Sequence, residues 1–246
     1  MSTDHRVAVV TGAAQGFGRA ISIGLARRGV DVVAVDLSAS EETLKEVEAA
    51  GARGVGLEAD VSDPETTGRL AALLDAEFGR CDILVNNAGI YPNKRFSDVD
   101  YDLWQRVLHI NLDSQFLMAK AVVPLMARGG WGRIINITSN SVALPAPGLS
   151  HYMASKMGVI GFTRGLANDV GDSGITVNAV GPTASLTPGG KAHIDPEVIA
   201  SLSTTQAIKR PGGPDDIVGT VLFLASEDSG WVTGQTIMAD GGLARL

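Results

Sequence analysis

The chain has 246 residues, enough for one large α/β domain built on a single buried sheet. Hydrophobic residues make up 45% and charged residues 19%, which excludes the low-hydrophobicity, high-charge composition of a disordered chain. The net charge of −7, with Lys and Arg scattered rather than gathered into a stripe, argues against a nucleic-acid partner.

Short aliphatic runs alternate with longer segments of helical periodicity, the pattern of βαβ units around a parallel sheet. Strands are predicted at Val7–Val10, Asp31–Val35, Arg53–Glu58, Ile83–Asn86, Gly132–Ile137, Thr176–Val180 and Thr236–Met238. Helices are predicted near Arg19–Arg28, Ser40–Ala50, Pro64–Phe78, Asp100–Ala127, Tyr152–Val170 and Pro214–Ala225. Runs such as Asp82–Val85 and Arg133–Ile137 are continuous rather than alternating, so the strands are buried on both faces. The expected fold is therefore a doubly wound α/β domain, a seven-stranded parallel sheet with six helices covering both faces. Right-handed crossovers then gather the strand carboxyl ends along one edge, where ligands bind. No repeat or low-complexity linker divides residues 1–246, which read as one domain. Gly181–Arg210 is rich in Gly, Pro, Ser and Thr with little periodicity; it is predicted to be irregular, with a substrate lid at about 183–210.

The single cysteine, Cys81, has no intrachain disulfide partner. The start MSTDHRVAVV lacks a basic segment followed by a long apolar one, and no run approaches the roughly 18 apolar residues of a membrane span. A soluble cytoplasmic protein without a membrane partner is expected.

The first predicted strand runs into Thr11-Gly12-Ala13-Ala14-Gln15-Gly16-Phe17-Gly18 and then into a helix. Glycines at such a turn allow close approach of a pyrophosphate, and the helix N-terminus offers free N–H groups and a positive dipole end. The spacing G-x-x-x-G-x-G also fits an ordinary tight turn; its place after the first strand is what favours a nucleotide. Asp36 ends the second strand 18 residues after Gly18. There a carboxylate accepts hydrogen bonds from an adenosine ribose diol and repels a 2′-phosphate, which favours NAD(H) over NADP(H), although Asp36 also suits a loop cap. Asp60 and Val61 after the third strand fit the adenine edge or a turn equally well.

Tyr152 and Lys156 lie four residues apart, on one face of a predicted helix. A nearby ammonium stabilises a phenolate and is expected to lower the tyrosine pKa from about 10. Such a pair is common on exposed helices. Ser139 changes the weight, because it follows the buried strand Arg133–Ile137 and emerges at the carboxyl edge expected to hold the cofactor.

With Thr11 to Gly18, Asn86-Asn87-Ala88-Gly89, Asn111, Ser139, Tyr152 and Lys156 in this order, the sequence resembles the short-chain dehydrogenase/reductase family over almost its whole length. The resemblance implies a single-domain Rossmann-like fold and an NAD-dependent alcohol dehydrogenase or ketone reductase. It implies that Ser139 polarises the substrate oxygen, that Tyr152 exchanges the proton, that Lys156 tunes Tyr152 and holds the nicotinamide ribose, and that Asn111 serves a water-linked relay. The implied cofactor residues are Gly12, Gln15, Gly16, Phe17, Gly18, Asp36, Asp60, Val61, Asn87, Ala88, Gly89, Tyr152, Lys156, Pro182, Thr183, Ser185 and Thr187. No metal is called for, and His5, His109, His151 and His193 show no ligand spacing. The family's usual Pro-Gly is Pro182-Thr183 here, which puts the loop conformation in question because threonine resists positive φ. A homotetramer packed through the helices holding Asn111 and Tyr152 and through the C-terminal segment is also implied.

Gly79–Val85 with Ile90-Tyr91-Pro92, Phe116–Ala121 and Gly130–Asn136 resemble the 1-phenylethanol dehydrogenase subgroup. The substrate is expected against Tyr91, Ser139, Ser141, Leu144 and Tyr152, with Asn140 and His151 also near the pocket. That suits a hydrophobic aryl or cyclic secondary alcohol and its ketone. Lys94 and Arg95 keep open a 3-oxoacyl-thioester or sugar-type reductase. A dinucleotide-binding protein without turnover is the remaining alternative.

Overall fold

The computed structural model describes residues 5–187 and 194–244, so His193 and the part of the expected lid at 188–193 lie outside the described residues. Seven strands form one sheet: β1 (Val7–Thr11), β2 (Asp31–Asp36), β3 (Gly54–Glu58), β4 (Ile83–Asn86), β5 (Gly132–Ile137), β6 (Ile175–Pro182) and β7 (Thr236–Ala239). Their order is β3-β2-β1-β4-β5-β6-β7 and every pairing is parallel, as expected of a Rossmann-like single-domain fold. The order reverses between β1 and β4, which opens a crevice at their carboxyl ends.

The helices are α1 (Gly16–Ala26), α2 (Glu41–Ala49), α3 (Glu65–Glu77), α4 (Tyr101–Leu108), α5 (Ser114–Gly129), α6 (Ser150–Val170), α7 (Pro196–Thr205) and α8 (Val218–Leu224). Alternate strand residues feed two cores. Val7, Val9, Val33 and Leu84 pack with Leu70 and Leu74 of α3, Met118 and Met126 of α5, and Ala167 of α6. Ala8, Val10, Val32 and Val85 pack with Ile21 and Leu25 of α1, Val47 of α2, and Val221 and Leu224 of α8. Two of the first three residues of α1 are glycines, each costing about 1 kcal/mol against a better helix former. Burying Ile21 and Leu25 returns roughly 1.5–3 kcal/mol apiece, so packing holds the helix and frees its first turn for another purpose.

Two expectations are corrected. The helix predicted across Asp100–Ala127 is interrupted at His109–Asp113 by a π-helical turn, which separates α4 from α5. The extra residue per turn carries Asn111 inward, fully buried, where regular periodicity would not place it. Within the stretch expected to be irregular lies α7; Asp195 caps it by accepting from the Glu197 N–H at 2.8 Å, and a proline opens its first turn. Asp-Pro-Glu is a helix-start signal, and its meaning was masked by the Gly- and Thr-rich residues before it.

Candidate active site

The glycine turn between β1 and α1 is built around close approaches. Gly12 and Gly16 have φ of +63° and +59°, in the left-handed region that favours glycine. A Cβ on Gly18 would stand 2.0 Å from the Gly12 carbonyl oxygen, so backbone fills the place of a side chain. Gln15 stands at the N-cap without a side-chain cap, so no side chain of its own occupies the first N–H groups of α1, the kind of helix start that suits an anion. Asn87 closes the other side: its Nδ2 donates to the carbonyls of Thr11 (2.9 Å) and Gly12 (3.1 Å). The Thr11 hydroxyl accepts from the N–H groups of Asn87 (2.9 Å) and Ala88 (3.0 Å). Thr11, which begins the glycine motif, is thus the pin between β1 and β4, a role its place in the sequence did not reveal.

Asp36 sits at the end of β2, its Oδ2 accepting from the Ala14 N–H at 2.9 Å and its Oδ1 from the Ser38 N–H at 3.2 Å. The Ala14 bond ties the carboxylate to the glycine turn; Oδ1 accepts from the Ser38 hydroxyl as well, at 3.3 Å, so Oδ2 is the oxygen that retains a lone pair for a further donor. Asp60 accepts from the Ser62 N–H (2.8 Å) and hydroxyl (2.6 Å), which is turn geometry, while Val61 is buried in the core under β3. The cradle fits a dinucleotide in shape and in donor set.

Tyr152 and Lys156 lie on one face of α6, with the lysine Nζ 5.8 Å from the tyrosine ring centroid. Lys156 is 3% exposed and donates to the Ile137 carbonyl at 2.8 Å; burial lowers its ammonium to about 8. The expected lowering of the Tyr152 pKa is not found. Loss of hydration pushes the phenol up to about 12, against a hydrogen bond from Ser139 that acts downward, and the adjacent Tyr91 adds to the rise. The reason is geometric: Lys156 is turned to Ile137, and its own charge is the poorly solvated partner. Tyr91 meets Tyr152 edge-on, the ring centroids 6.2 Å apart.

Asn111 is held by the backbone of Ile90, accepting its N–H and donating to its carbonyl, both at 2.8 Å. Its Nδ2 also donates to the Ser155 hydroxyl (3.1 Å), which donates to the Tyr152 carbonyl at 2.7 Å. Ser155, a small polar residue on the buried face of α6, is a further member of the site. A Cβ on Gly89 would stand 3.1 Å from the Asn111 Oδ1 and 3.6 Å from the Lys156 Nζ. Glycine therefore leaves a gap between the two.

Around this group, Ser139 accepts the Ser141 N–H at 3.2 Å, and the buried Ser141 hydroxyl has no partner among the described residues. Leu144 is half-buried at the end of the same turn. Asn140 is turned away to Asp240, and His151 is fully buried with its Nε2 on the Pro92 carbonyl at 2.9 Å; it fastens the Tyr91 loop rather than facing a ligand. Thr183 continues from β6 without a positive φ, as no described residue other than glycine has one, so the question raised by the missing glycine is answered. Ser185 bridges to Gly212 and donates to the Thr183 carbonyl at 2.9 Å, and the Thr187 N–H bonds the Ser185 carbonyl at 2.7 Å. Among the described residues, no group of three His, Cys, Asp or Glu side chains is placed to hold a metal, and no helix is long and apolar enough to cross a membrane.

A family model described as enoyl-(acyl carrier protein) reductase matches residues 12–244. Nodulation protein G of Azospirillum brasilense is 42% identical over 97% of this chain and 98% of its own. The 3-oxoacyl-[acyl-carrier-protein] reductase of Salmonella typhimurium is 38% identical over 99% of both chains. The acetoin dehydrogenase of Salmonella typhimurium, a solved structure, superposes with a TM-score of 0.88 at 34% identity, covering 98% of this chain and 97% of that one. The sheet order, the glycine cradle and these full-length likenesses agree: the chain belongs to the short-chain dehydrogenase/reductase family and is an oxidoreductase that uses a nicotinamide dinucleotide.

Proposed function

We propose that this oxidoreductase interconverts a hydrophobic, aryl or cyclic, secondary alcohol and its ketone with NAD(H). The observation that carries the reading is the placing of Ser139 next to the Tyr152 phenol, whose pKa it acts to lower, beside the edge-on ring of Tyr91. Two hydroxyls serve one oxygen, and an aromatic wall stands next to them.

The nicotinamide ring, when bound, supplies or takes up the hydride. In the reducing direction the Ser139 hydroxyl donates to the ketone oxygen, and the Tyr152 phenol gives that oxygen its proton as the carbon receives the hydride. A phenol held near 12 is fully protonated at neutral pH, as an acid must be. Lys156, four residues on along the same face of α6 and now bonded to the Ile137 carbonyl, would hold the nicotinamide ribose. The gap beside Gly89 gives room for a proton path past Asn111. A substrate lid at about 183–210 belongs to this reading, and of its described part Ser185 is tied to Gly212. NAD(H) is favoured because Asp36 meets the ribose diol and neither Gln15 nor Leu37 supplies a cation for a 2′-phosphate.

We further propose a homotetramer packed through the helical segment that holds Asn111 and leads into α5, through α6, which holds Tyr152, and through the C-terminal segment. A concavity of about 670 Å³ on that side, away from Tyr152, is lined by Leu112, Phe116, Leu117 and Phe162, and Phe116 is 51% exposed.

A second reading, a 3-oxoacyl-thioester reductase, is favoured by the exposed Lys94 and Arg95 on the Tyr91 loop and by the Salmonella relative. Steady-state kcat/KM for acetophenone-like ketones, cyclic ketones and an acetoacetyl thioester, each with NADH and with NADPH, separates the readings. A preference for the apolar ketones with NADH is expected. Preference for the thioester moves the assignment to the second reading, and equal use of NADPH refutes the role given to Asp36.

A further inference from the structure

Asp240 is 2% exposed and follows β7, at a distance of 100 residues from the Ser139 turn. Its Oδ1 accepts from the N–H groups of Gly242 (3.0 Å) and Leu243 (3.2 Å), and its Oδ2 from that of Ala244 (2.7 Å). A fourth donor is the Nδ2 of Asn140, at 3.2 Å from Oδ2. Asn140 is 5% exposed and directly follows Ser139. Gly241 and Gly242 have φ of +69° and +79°, which lets three successive amides curl onto one carboxylate. The turn is seated from below: the Ile208 N–H donates to the Gly241 carbonyl at 2.9 Å, and a Cβ on Gly242 would stand 2.9 Å from that of Ala207.

Three of the four bonds would suffice to fold the C-terminal turn. The fourth reaches across to the residue beside the hydroxyl that meets the substrate, and burial makes it directional: an amide there without an acceptor loses its solvation as well as its partner. We propose that Asp240 is a positioning residue for the reaction, setting the Ser139 hydroxyl through Asn140. The proposal rests on the reading that Ser139 holds the substrate oxygen. It gives the C-terminal turn a function in catalysis in addition to its place in the fold.

Asn140→Ala cuts this link and leaves the three backbone bonds to Asp240 intact. Its kcat/KM for the best ketone is expected to fall roughly 10- to 100-fold, the scale of a small misplacement of a reacting group, while the NADH dissociation constant stays within about twofold. The deciding measurement is the double-mutant cycle with Ser139→Ala. If Asn140 acts through Ser139, the loss caused by Asn140→Ala disappears once Ser139 is alanine. If it persists undiminished, Asn140 has a general structural role and the proposal fails. Full activity in Ser139→Ala alone overturns the reading beneath it, and the proposal with it, and is recognised from that single variant. Should Asn140→Ala not fold, Asn140→Leu, which keeps the side chain's approximate size, removes the donor and leaves the three backbone bonds to Asp240, is run through the same cycle with Ser139→Ala; a loss that disappears once Ser139 is alanine supports the link, and one that persists undiminished overturns it.

Discussion

Replacing Lys156 by methionine tests how the fold tolerates its buried cation. Folding lowers the ammonium from 10.5 to about 8, with burial as the cause and only 3% of the residue exposed. At about 1.4 kcal/mol per pH unit, keeping this charge in the folded chain costs about 3 kcal/mol at pH 7. The sign follows from the depressed value. Between about 8 and 10.5 the folded chain has released the proton while the unfolded chain still holds it, so wild-type stability rises with pH across that window and the cost is fully present below 8. Methionine has no such window. It does strand the Ile137 carbonyl, at a cost of roughly 1–3 kcal/mol, so the variant should be as stable as wild type or modestly more so at pH 7 and less stable by the lost bond near pH 10.5. Urea unfolding of both chains without cofactor, at pH values from 7 to 10.5, reads the difference; tyrosine titration is common to both and cancels. Parallel stability curves would refute the reasoning. The variant should be inactive at every pH, the trade expected when a destabilising group is kept for its chemistry.

Tyr152→Phe keeps the ring against Tyr91 and removes the exchangeable proton, so NADH should bind as before while kcat drops 10²–10⁴-fold. Retention of more than about a tenth of kcat would mean another group delivers the proton. Phe116→Glu places a charge on the apolar face of α5 and α6, and sedimentation should shift from a tetramer to smaller species; an unmodified chain that sediments as a monomer rules the assembly out.

Much of the fold was legible because its signals are local. Val7–Val10 and Arg133–Ile137 read as buried strands from their continuous apolar runs, and both are β-strands within one residue of the expected bounds. Gly12, Gly16 and Gly18 were legible too, since only glycine meets the φ values and the approach to Gly12 that the turn requires. The π-helical turn at Asn111 was not, because it arises from a tertiary partner, the Ile90 backbone, that claims both ends of the amide. Nor was the direction of the Tyr152 pKa. Sequence spacing puts Lys156 on the same helix face, but the lysine's choice of Ile137 and the loss of water around the phenol depend on a neighbouring strand. Asn140 and Asp240 lie too far apart in the chain for any pattern to join them.

The distances within the site depend on a buried polar link between β4, β5 and α6. Asn86 of β4 donates through Nδ2 to the Oδ1 of Asn136 in β5 at 2.9 Å, and Asn136 donates through its own Nδ2 to the Thr163 hydroxyl of α6 at 2.9 Å. The three residues are almost completely buried. Aliphatic side chains in these places would contribute more to stability but would tolerate a small slide of one element on the next. The amides do not, because a shift that breaks the chain leaves buried polar groups unpaired, at roughly 1–3 kcal/mol each. The elements they join are those that matter: β4 leads into Asn87 and the cofactor cradle, β5 into Ser139, and α6 carries Tyr152 and Lys156. A register fixed by hydrogen bonds thus passes outward to side chains whose chemistry depends on tenths of an ångström.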